Sequence, residues 1–108
     1  PVVRLVAFGR ARLDMVAVQG DILRAAEDSP EFRFASPARA VSLRHIVTLL
    51  TDAGVHGDVE LLGTALMAPL EASLVLYQIR TLGLSERRIA DAWEDLAHRI
   101  ARSAGLAV

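Results

Sequence analysis

Residues 59–82, VELLGTALMAPLEASLVLYQIRTL, carry three charges in twenty-four positions: Glu60, Glu71 and Arg80. At 100° per residue on a helix, Glu60, Thr64, Glu71 and Gln78 gather on one narrow stripe, and leucines, alanines, Tyr77 and Ile79 cover most of the rest. A helix resting on a single core needs an apolar arc of roughly 100°, and this one has about twice that. Such a helix is expected to be buried on two sides, whereas a chain of 108 residues offers one core. The second side calls for a second subunit, a ligand cavity, or both.

The remaining sequence also reads as helix. No segment alternates with period two, and Ala, Leu and Arg dominate. Val2, Leu5, Val6, Phe8, Leu13, Val16 and Gln19 set the period of a first helix over 2–19. Gly20-Asp21 reads as a break, with Gly20 as a left-handed C-cap and Asp21 capping a short helix over 21–28. Residues 29–36, SPEFRFAS, read as a loop whose Phe32 and Phe34 tuck inward. Ser36-Pro37 marks the next helix start, running to about Ala53 and stopping at Gly54. Asp58 caps the long apolar helix, which Pro69 should bend because it lacks a donor for the preceding turn. Gly83 ends that helix and Ser85 caps the last one, over 86–103, whose Ile89, Trp93, Leu96 and Ile100 form a heptad-like seam. The fold class expected is all-α, an orthogonal or antiparallel bundle of about five helices.

Twelve basic and thirteen acidic side chains give a formal charge of −1, without the basic excess of a domain that grips a nucleic-acid backbone. The absence of cysteine removes disulfides and thiolate chemistry and fits a reducing compartment. Pro69 and Glu71 at the centre of the apolar stretch make a membrane span costly, so a soluble, cytoplasmic protein is expected. The chain opens inside a helical pattern with no initiator Met, which reads as a piece of something longer. His45, His56 and His98 lie on three different elements without metal-ligand spacing, and the acids cluster only as neighbours, Glu27-Asp28 and Glu94-Asp95. No phosphate loop, nucleophile elbow or acid–base pair is evident. Neither catalysis nor a metal or cofactor is expected.

Two functions remain. The apolar arc and the Ile89–Ile100 seam could supply a self-complementary patch for a homodimer, with Leu66, Leu70, Leu74, Trp93, Leu96 and Ile100 as candidate contacts. The plainer alternative packs both helices onto the first three as a monomer. A ligand pocket could draw its adaptable apolar wall and its few polar groups from Phe8, Arg12, Met15, Phe34, His45, Leu49, Met67, Glu71 and Tyr77. Phe8, Met15 and Leu49 serve equally well as ordinary core, and His45 as a half-buried residue beside it. Glu71 is favoured as the solvated side of its stripe, with Glu60 and Gln78. Buried, it would need Arg12, Arg80 or a cationic ligand.

The order of elements, and above all ALMAPLEASLVLYQIRTLGLSERRIADAWEDLAHRI, resembles the C-terminal regulatory domain of TetR-family transcriptional repressors. The resemblance is one of pattern and covers essentially the whole chain. It implies that residues 1–108 are a single ligand-sensing and dimerisation domain, with the DNA-reading helix-turn-helix outside them. It further implies that the last two helices pair with their mates in a four-helix bundle. The earlier helices would then enclose a small apolar or amphipathic effector whose binding re-spaces two DNA readers, with Pro69 as the place where the long helix tolerates movement. The rival is a purely structural helical dimerisation module with a filled core and no ligand.

Overall fold

The computed structural model of the chain describes residues 1–28 and 34–102. Among them run five helices: α1 (Val2–Ala26), α2 (Pro37–Asp52), α3 (Val59–Met67), α4 (Ala72–Arg80) and α5 (Glu86–Arg102), with a 3-10 turn at Ala68–Leu70 between α3 and α4. The expectation for Phe32, and for most of the 29–36 loop, lies outside the described residues. One apolar cluster draws on all five helices, from Leu5 and Val16 of α1 to Trp93 and Ala97 of α5. Both α4 and α5 pack along α1, and α2 and α3 pack on each other.

The starts and stops follow local chemistry. Ser36 Oγ accepts from the Arg39 N–H with Pro37 in the first turn, and Asp58 Oδ1 accepts from the Leu61 N–H. Ser85 Oγ does the same for Arg88. Gly54 and Gly83, which follow α2 and α4, take the positive φ that the sequence asks of them.

Two expectations change. The break expected at Gly20 falls one residue earlier, as a kink with non-helical backbone at Gln19 (φ −118°, ψ 21°), beyond which α1 resumes to Ala26. What changes is the role of Gly20, which has no positive φ and is not a left-handed cap. Gly20 is needed for proximity instead. A Cβ there would lie 2.8 and 3.0 Å from the two methyls of Leu76, so the missing side chain lets α4 close on α1.

Residues 59–82, for their part, are not one bent helix. Their backbone turns extended at Glu71 (φ −64°, ψ 134°), and the axes on either side differ by about 40°. Pro69 brings no N–H to the preceding turn, and the indole N–H of Trp93 occupies the Leu66 carbonyl there, at 2.9 Å. Helical phase is lost at Glu71, so it leaves the stripe shared with Glu60 and Gln78 and stands half-buried. No single described helix is long and apolar enough to cross a membrane. Only α3 with its turn, taken together with α4, passes on length and composition.

The side of α1 that meets α5 carries Gly9, where a methyl would overlap the six-membered ring of Trp93. Arg10 adds hydrogen bonds to Glu94 (3.0 Å) and Asp91 (2.9 Å), which hold its guanidinium above its ordinary pKa. On the α4 side Arg80 donates to both oxygens of Asp21, at 2.7 and 3.2 Å. These hydrogen bonds, with the Arg80 charge behind them, hold the Asp21 carboxyl below the usual carboxylate range.

Candidate functional site

A cavity of about 340 Å³ lies where α1, the first turns of α2 and the break between α3 and α4 meet. Each wall has a sequence reason. Phe8 and Arg12 are one turn apart on α1, and Leu23, Ala26 and Glu27 extend that wall from beyond the kink at Gln19. The second wall is Ser36, Pro37, Ala38, Arg39 and Ser42, the capped start of α2. Met67, Leu70 and Glu71 form the third, exposed to the space by the turn around Pro69.

The polar groups of this cavity are unequally satisfied. Glu27, itself buried, accepts from the backbone N–H of Ala72 (2.8 Å) and of Ser73 (2.9 Å) and from the Ser73 hydroxyl (2.8 Å). It therefore caps α4 from across the fold, a task that Glu71, the preceding residue, leaves undone with its own side chain. No ion pair joins Arg12 or Arg39 to a carboxylate of the described residues. Arg39 lies over the ring of Phe34, 5.5 Å from its centroid.

Of the nine residues the sequence offers for a pocket, Phe8, Arg12, Met67 and Glu71 line this one. Phe34 does not tuck inward as expected: it is 58% exposed and meets the cavity edge through Arg39, while the exposed His45 does so through Phe8, whose ring centroid is 5.5 Å from its own. Leu49 is core, and Met15 and Tyr77 are at the surface, lining neither this cavity nor the second one. The sequence reading omits Glu27, Leu23 and the α2 start. Ser36-Pro37 was legible as a cap but carries no mark of a cavity. Glu27 lies beyond the kink at Gln19, and only the way the turns after that kink lie against α4 brings Leu23 and Glu27 to the same cavity as Phe8 and Arg12.

A second cavity, about 330 Å³, opens between α4 and α5 and includes Gln78, Leu84, Ile89, Ala92 and Leu96. The six residues offered for a dimer contact divide at this point. Leu66, Leu70 and Trp93 are 0, 2 and 4% exposed within the chain's own core, while Leu74, Leu96 and Ile100 keep accessible surface. His45, His56 and His98 sit on α2, in the turn before α3 and on α5, and no group of three metal-ligating side chains forms among the described residues.

No protein-family model, no curated protein and no solved structure matches the chain.

Proposed function

We propose that these residues are an effector-sensing and homodimerising domain of a TetR-like transcriptional repressor. A small apolar or amphipathic molecule occupies the cavity between α1, α2 and the Pro69 break, and DNA is read by a segment outside these 108 residues. The observation that carries this reading is the cavity itself. It is of ligand size and mostly apolar, with a few polar groups converging on it, and it lies against the one place where a long apolar segment leaves helical conformation.

The arrangement supplies a switch in physical terms. Glu27 couples the end of α1 to the start of α4, and both flank the cavity, so a ligand that spreads or draws in these walls shifts α4 relative to α1. It does so only to the extent that it binds one arrangement more tightly than the other. The dimer would form through the α4–α5 side, where Leu74, Leu96, Ile100 and the second cavity lie.

The test is a thermal-shift screen of small apolar and amphipathic compounds on the wild-type chain and on Ala38→Trp, which places an indole in the cavity. The expected result is a set of compounds that raise the Tm of the wild type and lose most of that effect in the variant. Shifts of equal size in both proteins, or no compound that shifts the wild type, would count against the sensor and for the structural module.

A further inference from the structure

Given the reading of this cavity as an effector site, its chemistry narrows the ligand. We infer that the cavity takes a compact amphipathic carboxylate of about ten non-hydrogen atoms, its head held by Arg12 and Arg39 and its apolar part against Phe8, Met67 and Leu70.

Size comes first. At about 340 Å³ the cavity stands near the lower end of the range usual for small-molecule sites. Medium-chain acids such as octanoate, or a phenyl ring with a three-carbon acid, suit a space of this size.

Charge decides the head group. Four ionisable side chains line the cavity, Arg12, Arg39, Glu27 and Glu71, and formally they cancel. They differ in what is left to bond. The Glu27 oxygens already receive two backbone N–H groups and a hydroxyl at 2.8–2.9 Å, so its charge is answered by the start of α4. Glu71 stands at that same helix start, where the positive end of the α4 dipole offsets a carboxylate. The two guanidiniums have no carboxylate partner among the described residues, and Arg39 has only the face of the Phe34 ring. Both are half-buried, and each offers a fork of N–H donors that a carboxylate accepts two at a time. The surroundings add to this, because the first turn of α2 carries Arg39 and no acidic residue. Among the described residues two unpaired guanidiniums face one uncommitted carboxylate, Glu71, and a ligand carboxylate supplies the further acceptor with the right planar geometry.

The experiment is calorimetric titration of the whole chain with three probes of nearly equal size: octanoate, the isosteric neutral octanamide, and octylammonium. Octanoate should bind at least tenfold more tightly than either of the others. Arg12→Met and Arg39→Met should each weaken octanoate about tenfold and leave octanamide unchanged, with circular dichroism confirming that both variants fold. Glu71→Gln, which removes the nearest uncommitted negative charge, should tighten octanoate. Octanamide binding as well as octanoate would overturn the carboxylate while leaving the effector reading intact. Octylammonium binding best would also overturn it and assign the head group to Glu71. If no probe of any charge binds, the effector reading falls with it.

Discussion

Trp93 is the residue at which three separate choices of the sequence meet. Its six-membered ring fills the space that a methyl on Gly9 would need, its N–H serves the Leu66 carbonyl beside a proline, and its side chain is buried by α1, α3 and α5 together. Gly9→Ala is therefore not a mild change. The atoms it meets belong to a rigid aromatic ring instead of a flexible side-chain end, so α1 and α5 must separate, at a cost of about 1–3 kcal/mol. Urea unfolding of Gly9→Ala checks this, and stability equal to wild type would mean that the ring has room to move. Trp93→Phe should be costly for another reason. It keeps most of the apolar volume and removes the donor to a buried carbonyl, a loss of about 1–3 kcal/mol. At the surface, Asp21 gives a pH-dependent prediction. Hydrogen bonds from Arg80 keep its folded-state pKa below the unfolded one, so its contribution to stability is full above the unfolded value and is lost as pH falls through the folded value. A carbon-detected NMR titration should find Asp21 protonating at higher pH in Arg80→Met than in wild type, and coincident titrations would show that the ion pair does not persist in water.

At the scale of elements, the sequence was legible wherever a signal and its cause lie within one turn of each other. Ser36-Pro37, Asp58, Gly83 and Ser85 each satisfy or end a neighbouring backbone, and each boundary falls where they place it. The two misreadings share one physical cause. Gly20 looks like a left-handed cap until Leu76 is known to lie against it, and 59–82 looks like one helix until Glu27 is known to bond Ala72 and Ser73. Both partners come from distant parts of the chain, and no local pattern announces them. The cavity was hidden for the same reason: one wall depends on how the turns after the Gln19 kink lie against α4, and another on α4 beginning afresh at Ala72. The division of labour at the break is open to measurement. If Glu27 and Trp93 hold the extended residue in place, Pro69→Ala should cost less than about 1 kcal/mol, mostly through the unfolded chain, and leave helix content nearly unchanged. Glu27→Ala should cost more, about 1–3 kcal/mol, because it leaves two N–H groups at a buried helix start without their acceptor. The opposite order, read from urea midpoints and far-UV circular dichroism, would make proline the determinant of the break.

For the molecule as a whole, thickness is the governing dimension. The Cα atoms extend 43 × 29 × 18 Å, and 18 Å accommodates about two helix layers at their usual 8–10 Å spacing. In a body two layers thick, every helix keeps an outer face. An over-apolar helix needs a second cover, and in 59–82 the break at Glu71 relieves part of that need. The need applies with more force to α1. While Leu5, Leu13 and Val16 face the core, Val3, Val18 and Ile22 on the opposite side are 82, 83 and 75% exposed. A second apolar surface is formed by Leu74, Tyr77 and Leu82 with the half-buried Leu96 and Ile100, next to the cavity between α4 and α5. A stable dimer needs about 800 Å² from each partner, and the two surfaces are rival places to find it. The proposed dimer uses the α4–α5 surface, and exposed positions allow it to be tested without disturbing the core. Tyr77→Arg should convert the protein to a monomer by light scattering after size exclusion, because a guanidinium at the centre of a dry contact has no partner. Val18→Arg, at a position still more exposed in the single chain (83% against 51% for Tyr77), should leave the dimer intact. If Val18→Arg alone dissociates it, α1 is the dimer face, and the cavity walls it carries would then be tied directly to the partner. A wild-type monomer at every concentration would remove the dimer from the proposal and leave the cavity as the functional element.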